Sequence, residues 1–462
     1  MQTIKNKIII PLIIFMLFGA VFFLPAQTTV TVESVLFQVS DLLSDFRYNE
    51  AIALFDTIPQ DIRDNTSFLL LRASILNSAG RYSEAFSIAD AINRAEPGNI
   101  EAMFVLSAIE GAQGRADRQQ ALLEGILRID PNNVDASIEL GKLHLRNRSL
   151  RNAATNFHRV FSIYPDNFDA LIGLGQYFRL SRDYEEAELF LNRAVELYPQ
   201  SAEARVERAR LYRNGSFLIN ALDDLDLAAE LAPNNYWVAI DRGTLLLEMN
   251  RRRQALEEFE RAIQINPGES QAYIYTSALK DEFGDFDGAM EDYAIVSVLR
   301  PDYFYAFEGL GIHLMRHERW EEARDAFMEA YRRAPDDHFF ALLAAISWIR
   351  VDRAGPRQFI AQVNTRVERE SLAWFMFRLF YDLTAMSHAG ETDMAARLDR
   401  ETNPVLKARM LFYMAQYYEI RNAVNLANRY YLMVYEMDTR VRAIPEWRYI
   451  EWVLRSRNLI PN

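Results

Sequence analysis

Eight prolines stand in one register. Pro97, Pro131, Pro165, Pro199, Pro233, Pro267, Pro301 and Pro335 follow one another at intervals of 34 residues. Proline has no N–H to donate and its ring clashes with the preceding turn, so it stops a helix. One stop recurring at one spacing means a single structural unit copied along the chain. The residues around the prolines agree in type, from EPGN at Glu96 and DPNN at Asp130 to APDD at Ala334.

With the proline set as position 32 of a 34-residue unit, further columns align. Position 8 is Ala73, Ser107, Gly141, Gly175, Ala209, Gly243, Ser277 and Gly311, all small. Position 20 is Ala85, Gln119, Ala153, Ala187, Ala221, Ala255, Ala289 and Ala323. Position 24 is mostly bulky and position 27 apolar throughout, as in Phe157 and Val160 or Phe259 and Ala262. Each unit holds two stretches with helical periodicity, at positions 1–14 and 17–30. Small residues at 8 and 20 let the two helices approach closely. Large residues at 24 and 30, such as Phe157 and Ile163, are expected to fill the space beside that contact. One pair cannot bury its apolar faces alone, so pairs must stack on pairs. The expected fold class is all-α.

The unit resembles the tetratricopeptide repeat. The stretch from Phe168 to Ser201 carries the likeness best, with Leu171, Leu174, Gly175, Phe178, Tyr184, Ala187, Leu191, Ala194 and Pro199 at consensus positions. The pattern runs over residues 66–337 as eight repeats. Tyr48, Ala51 and Phe55 match positions 17, 20 and 24 of a degenerate earlier unit over 32–65. The resemblance implies a superhelical solenoid of about nine helix-turn-helix repeats that binds proteins or peptides and performs no reaction. Residues 338–462 form a helical segment outside the register, in which Ala415, Ala427 and Tyr431 match positions 8, 20 and 24 of one more degenerate unit.

In that family the first helices line the concave surface, with positions 2, 5, 9 and 12 facing inward. Position 5 reads as an apolar stripe that includes Ile138, Ile172, Val206, Ile240 and Ile274. Positions 9 and 12 of the central units carry Lys142, Gln176, Arg179, Arg210 and Arg213, a basic cluster suited to a carboxylate on a partner. These ten residues are the expected ligand-binding set. The family's two-carboxylate clamp needs lysine at position 5 and asparagine at position 9 of adjacent units. No unit has that pair, so binding of chaperone tails is not implied.

Charge and composition narrow the partners. The formal net charge is −13, and beyond Ala26 there are 49 basic against 64 acidic residues. A chain so acidic repels phosphate backbones, so nucleic acid is not expected. The absence of cysteine excludes disulfides, thiolate metal sites and a lipid-bearing cysteine. Lys5 and Lys7 precede an apolar run from Ile8 to Leu24, the layout of an export signal or an amino-terminal anchor over residues 1–26. Cleavage after Ala26 would put Leu24 at −3, where a small residue is preferred, so cleavage and anchoring both stay open. Either places the rest outside the cytoplasm, in the periplasm or held at the inner membrane facing it.

Nothing in the chain reads as catalytic, metal-binding or cofactor-binding. His313 and His317 have ligand spacing, but HLMRH lacks the glutamate of a zinc protease, and both are expected in solvent. Gly173 and Gly175 form GxG inside a helix, whereas a phosphate loop follows a strand. Glu185–Glu186, Glu257–Glu258 and Glu321–Glu322 recur with the repeat, whereas a catalytic pair would occur once; solvated residues near helix starts account for them.

The carboxy-terminal segment is dense in aromatics, expected as the core of a capping subdomain. Its end, with RMLFYMAQYYE, NLANRYYLMVYEM and EWRYIEWVL, is similar to the tail of the NlpI-type envelope lipoproteins, which are adaptors. The expectation is a cell-envelope scaffold. An assembly factor for outer-membrane or secretion machinery, or an enzyme housed in 338–462, are the alternatives.

Overall fold

A computed structural model describes residues 26–384 and 390–461. The export-like run up to residue 25 lies outside them. Among the described residues there is no strand, and no helix is long and apolar enough to cross a membrane. The chain forms two compact bodies, one up to Leu231 and one from Ala232.

In the first body helix pairs follow the register. Thr66–Ser78 pairs with Tyr82–Ala95, Ile100–Ala112 with Ala116–Ile129, and Val134–Arg146 with Leu150–Ile163. Phe168–Leu180 pairs with Tyr184–Leu197, and Ala202–Asn214 with Leu218–Leu231. Each first helix opens on a side-chain cap, which from Asn99 onward stands two residues after the proline and before Thr66 is Asn65, two after Arg63. Asn99, Asn133 and Asn167 accept from the N–H of Ala102, Ala136 and Ala170 at 2.9 Å, satisfying a donor the helix cannot. Each closes through a left-handed residue: Gly80, Gly114, Arg148, Arg182 and Ser216. The following N–H folds back five residues, as Asp183 does to the Phe178 carbonyl at 2.9 Å. Phe46, in 32–65, has the same conformation.

Position 24 is the piece on which each pair closes. Phe157 is fully buried. A Cβ added to Gly141 of its own first helix would lie 2.8 Å from the ring, and one added to Gly173 of the next unit 2.4 Å. The GxG at Gly173 and Gly175 is therefore a double notch. Gly173 receives the preceding unit's Phe157, and Gly175 its own unit's Leu191. The position-20 alanines Ala153, Ala187 and Ala221 are fully buried, as expected of a close helix contact. Position 30 behaves otherwise. Ile163 is 42% exposed and Ile129 51%, and Ile129 rests on the turn at Gly98 instead of filling the pair.

The second body continues the pattern with Tyr236–Glu248 and Arg252–Ile265, Ser270–Phe283 and Phe286–Leu299, then Phe304–Arg316 and Trp320–Arg333. Gly309 and Gly311 repeat the double notch, against Tyr293 and Phe327. His338–Val351, capped by Asp337, packs on Trp320–Arg333 as one more first helix. Asp352 then lacks the left-handed turn and the register ends. Short helices follow, Arg357–Asn364, Leu372–Thr384 and Glu391–Arg400, then Pro404–Ile420, Val424–Tyr435 and Trp447–Ser456. Asn422, between two of them, is left-handed again.

The last helices do not simply extend the row. They turn back onto the first-helix face of this body. Trp447–Ser456 packs on Phe304–Arg316, and Arg448 reaches Asp281 at 3.2 Å. Arg409 lies 3.6 Å from the centroid of the Phe339 ring, with its Nε 2.8 Å from Glu446 and its guanidinium 3.7 Å from Glu308. The aromatic residues supply the core here: Phe377, Phe380, Phe412, Tyr413, Tyr417 and Tyr431 are fully buried.

Burial, with Glu446 adding repulsion against the opposing pull of Arg409, pushes the Glu308 carboxyl up to about 8. A carboxyl raised on folding stabilises while protonated, and that contribution is lost as pH rises from its ordinary value near 4.5 through about 8. Glu308→Gln removes the dependence. Its urea transition should gain on the parent's by on the order of 3 kcal/mol between about pH 5 and about pH 9. Parallel curves would show that Glu308 titrates as it does in the unfolded chain.

Candidate functional site

The first-helix face between Val134 and Asn214 gathers most of the residues picked out by register. Its apolar members lie beneath it. Ile138 and Ile172 are 4% and 5% exposed, packed with Phe157 and with Leu191 inside the pairs. Ile240, in the second body, is likewise buried, and Val206 and Ile274 are half-buried. The expected apolar stripe is thus largely core, because position 5 faces its own second helix as much as it faces outward. It supplies little surface to a ligand.

The polar members reach the surface, but in company. Lys142 Nζ lies 2.7 Å from Asp169 of the next unit and 3.5 Å from Glu139 one turn earlier. Burial works against its charge, yet Glu139 and Asp169 outweigh it and raise the Lys142 pKa. Burial raises Glu139 despite Lys142, and burial together with Asp169 raises Asp135. Carboxylates are in excess here. Farther along, Arg179 stands 3.6 Å from Glu207, and Arg210 pairs with the same carboxylate. Glu207 is 4% exposed, so two guanidiniums share one buried anion. Gln176 and Arg213 are half-buried beside them, and Arg213 is itself engaged.

The expected basic cluster is therefore one half of a bipolar face. Positions 2 and 6 carry the acids that positions 9 and 12 meet. The signal was present as Asp135, Glu139, Asp169, Glu203 and Glu207, but a column read alone shows neither a partner one turn earlier in the same unit, as Glu139 is to Lys142, nor one in the next unit, as Asp169 is.

Solved structures of similar fold include a tetratricopeptide repeat protein from Parabacteroides merdae, 16% identical, with a TM-score of 0.44 over 54% of this chain and 98% of its own. Another is YrrB, described as having an unusual peptide-binding site, 23% identical, TM-score 0.35, over 42% of this chain and 98% of its own. A third is the Pseudomonas aeruginosa protein pilF, 20% identical, TM-score 0.38, over 44% and 92%. Two models of the tetratricopeptide repeat match the sequence itself, one over residues 138–202 and 279–338 and the other over 240–269, in register with the helix pairs described above. The chain carries tetratricopeptide repeats.

Tetratricopeptide-repeat proteins generally bind protein or peptide partners and act as interaction scaffolds. The remaining candidates for chemistry sit within that scaffold. Glu185, Glu186, Glu321 and Glu322 are exposed near helix starts, as expected. Glu258 departs from expectation: it is buried, paired with Arg242 and facing Arg261 at 4.0 Å. It belongs to a row of ion pairs inside repeats, with Arg208–Asp224 at 2.7 Å and Lys280–Asp292 at 2.8 Å.

The two histidines part company. His317 is partly exposed with Asp287 at 3.1 Å. His313 is buried between Phe286 and Tyr293, against the expectation of solvent. Burial first, then Arg316, His317 and Arg448, push it down to about 3, so it is a neutral imidazole. Among the described residues no group of three or more histidines and carboxylates is placed to hold a metal ion.

Proposed function

We propose that the chain is a non-catalytic protein-binding scaffold of the bacterial cell envelope that holds a partner segment on the first-helix face between Val134 and Asn214. The observation that carries this reading is the division of charge along that face. Lys142 lies among Asp135, Glu139 and Asp169, whereas Arg179 and Arg210 share Glu207. A guanidinium has five N–H donors, so Arg179, at 3.6 Å from Glu207, has others to offer a second carboxylate. The partner that fits carries a basic residue toward Asp135 and a carboxylate toward Arg179. Such complementarity sets register and rate of capture more than raw affinity.

Two features of the sequence support the compartment. Lys5, Lys7 and the apolar run to Leu24 have the layout of an export signal, and the last fifty or so residues are similar to an envelope adaptor tail. Sequencing the mature amino terminus and locating the protein by fractionation test this part. A chain recovered whole from the cytoplasm would end it.

The face is tested by charge reversal. Replacing Arg179, Arg210 and Arg213 together by Glu should weaken capture of partners identified by cross-linking and mass spectrometry by about tenfold or more. Because this variant strips the buried Glu207 of both its cations, it is compared in a Glu207→Gln background whose fold is checked by circular dichroism and urea unfolding. The same partners at the same yield would place the site elsewhere.

A further inference from the structure

The second body holds a cleft of about 500 Å³ between the end of Ser270–Phe283 and the returning helix Trp447–Ser456. None of the residues assigned above to the binding face lines it. One wall is aromatic: Tyr435 and Trp447 stack with centroids 5.7 Å apart and planes 10° from parallel. The rim is cationic. Arg442 lies on the short turn of 3-10 helix Thr439–Ala443, exposed, with its guanidinium 5.6 Å from the centroid of the Trp447 ring. Arg448 and Arg455 stand two turns apart on the last helix and both line the cleft.

The acids present do not balance these cations. Glu451 takes Arg455 at 2.8 Å and Arg448 at 3.6 Å. Arg448 is further drawn to Asp281 at 3.2 Å, beneath the cleft. Glu282 is taken from outside by Arg252. Arg442 has no carboxylate partner among the described residues, only the ring. Three cations thus face two anions, both already engaged, in a chain whose net charge is −13.

We propose that this cleft binds a carboxylate presented beside an aromatic or large apolar side chain, as an acidic peptide segment or a peptide's free carboxy terminus would offer it. The open guanidinium of Arg442 accepts the anion in a fork, with Arg455 at the far side. The neighbouring side chain lies along the half-buried Tyr435, which the buried Trp447 ring backs and holds in place. The volume is that of a site for a small ligand or a peptide end. This site is independent of the first-helix face in the other body, and its occupancy does not depend on that reading.

The test uses the full chain and unlabelled, N-acetylated Gly-Ser-Asp-Phe peptides read by isothermal titration calorimetry. One has a free carboxy terminus, one is amidated, one has Asn in place of Asp, and one has both changes. At least one carboxylate-bearing peptide should bind, more weakly at higher salt. Arg442→Ala, an exposed change checked for helix content, should lower that affinity about tenfold or more. Loss on amidation alone assigns the site to a carboxy terminus, and loss on the Asn change alone to an acidic side chain. Equal binding of the peptide lacking both carboxylates, equal binding to the Arg442→Ala chain, or no binding by any peptide at about 1 mM would overturn the proposal.

Discussion

Phe157→Ala should destabilise the body that ends at Leu231 by about 3–5 kcal/mol, the range for deleting a fully enclosed aromatic ring. The ring is entirely buried, and it is held by two glycines, Gly141 across its own pair and Gly173 in the next unit. Those neighbours have no side chains with which to fill the hole, so relaxation can recover little of the loss. The partner substitution makes the expectation specific. Gly173→Ala places a methyl 2.4 Å from the ring in the parent, so it should be destabilising there. With Phe157 already reduced to alanine the same methyl enters vacant space, and the helix gains about 1 kcal/mol from replacing glycine. The two changes should therefore couple with opposite signs in the two backgrounds, by on the order of 2 kcal/mol. Urea unfolding of the four chains measures it. Additive costs would mean that Phe157 and Gly173 do not share a contact.

The same pair of residues shows what a sequence of this kind makes legible. Helix pairs could be read because their determinants are local or periodic: the proline that stops the second helix, the buried alanine at position 20, the glycine at position 8. The caps could have been read as well. Asn99, Asn133, Asn167, Ser201, Asn235 and Asp337 form a column of N-cap residues two places after their prolines, broken at Glu269 and Tyr303. The left-handed turn is harder, since Arg148, Arg182, Ser216, Asn250 and Glu318 occupy it beside Gly80, Gly114 and Gly284. There the geometry is imposed by the two flanking helices and not by the residue.

Recurrence identifies a position without saying what covers it. Ile163 and Phe157 both recur as large apolar residues, but one lies in the last turn beside the proline and stays exposed while the other is enclosed. The bipolar face escaped for a related reason. Lys142 meets Asp169 and Arg179 meets Glu207 across units, so neither pair appears in any one column. Helix Glu391–Arg400 carried too little pattern to be seen, with only Met394 and Leu398, four apart, giving it a buried side. Farthest from view was the return of the last helix. Arg448 and Asp281 are 167 residues apart and only packing brings them together.

That return is tested most directly at Arg409. Its side chain is 12% exposed, stacks on Phe339 and bonds Glu446, a carboxylate with no exposure at all. The Tyr413 hydroxyl donates to the same carboxylate at 2.9 Å, and among the described residues no other cation is paired with it. Arg409→Met keeps the stem against Phe339 but leaves Glu446 charged and buried without its counter-ion, a defect that costs about 3–5 kcal/mol. Lysine is not expected to rescue, because a compact ammonium cannot both lie flat on the ring and bond the acid. Arg409→Met with Glu446→Gln should recover most of the loss, since the amide still accepts from Tyr413 and carries no charge to strand. If Arg409 binds the last helices to the repeats, the single variant should also expose the segment after Asn403 to limited proteolysis, and the double variant should protect it again. A single variant as stable as the parent, with that segment equally resistant, would mean that the apolar packing of Ile450, Val453 and Leu454 holds the helix in place without the charge beneath it.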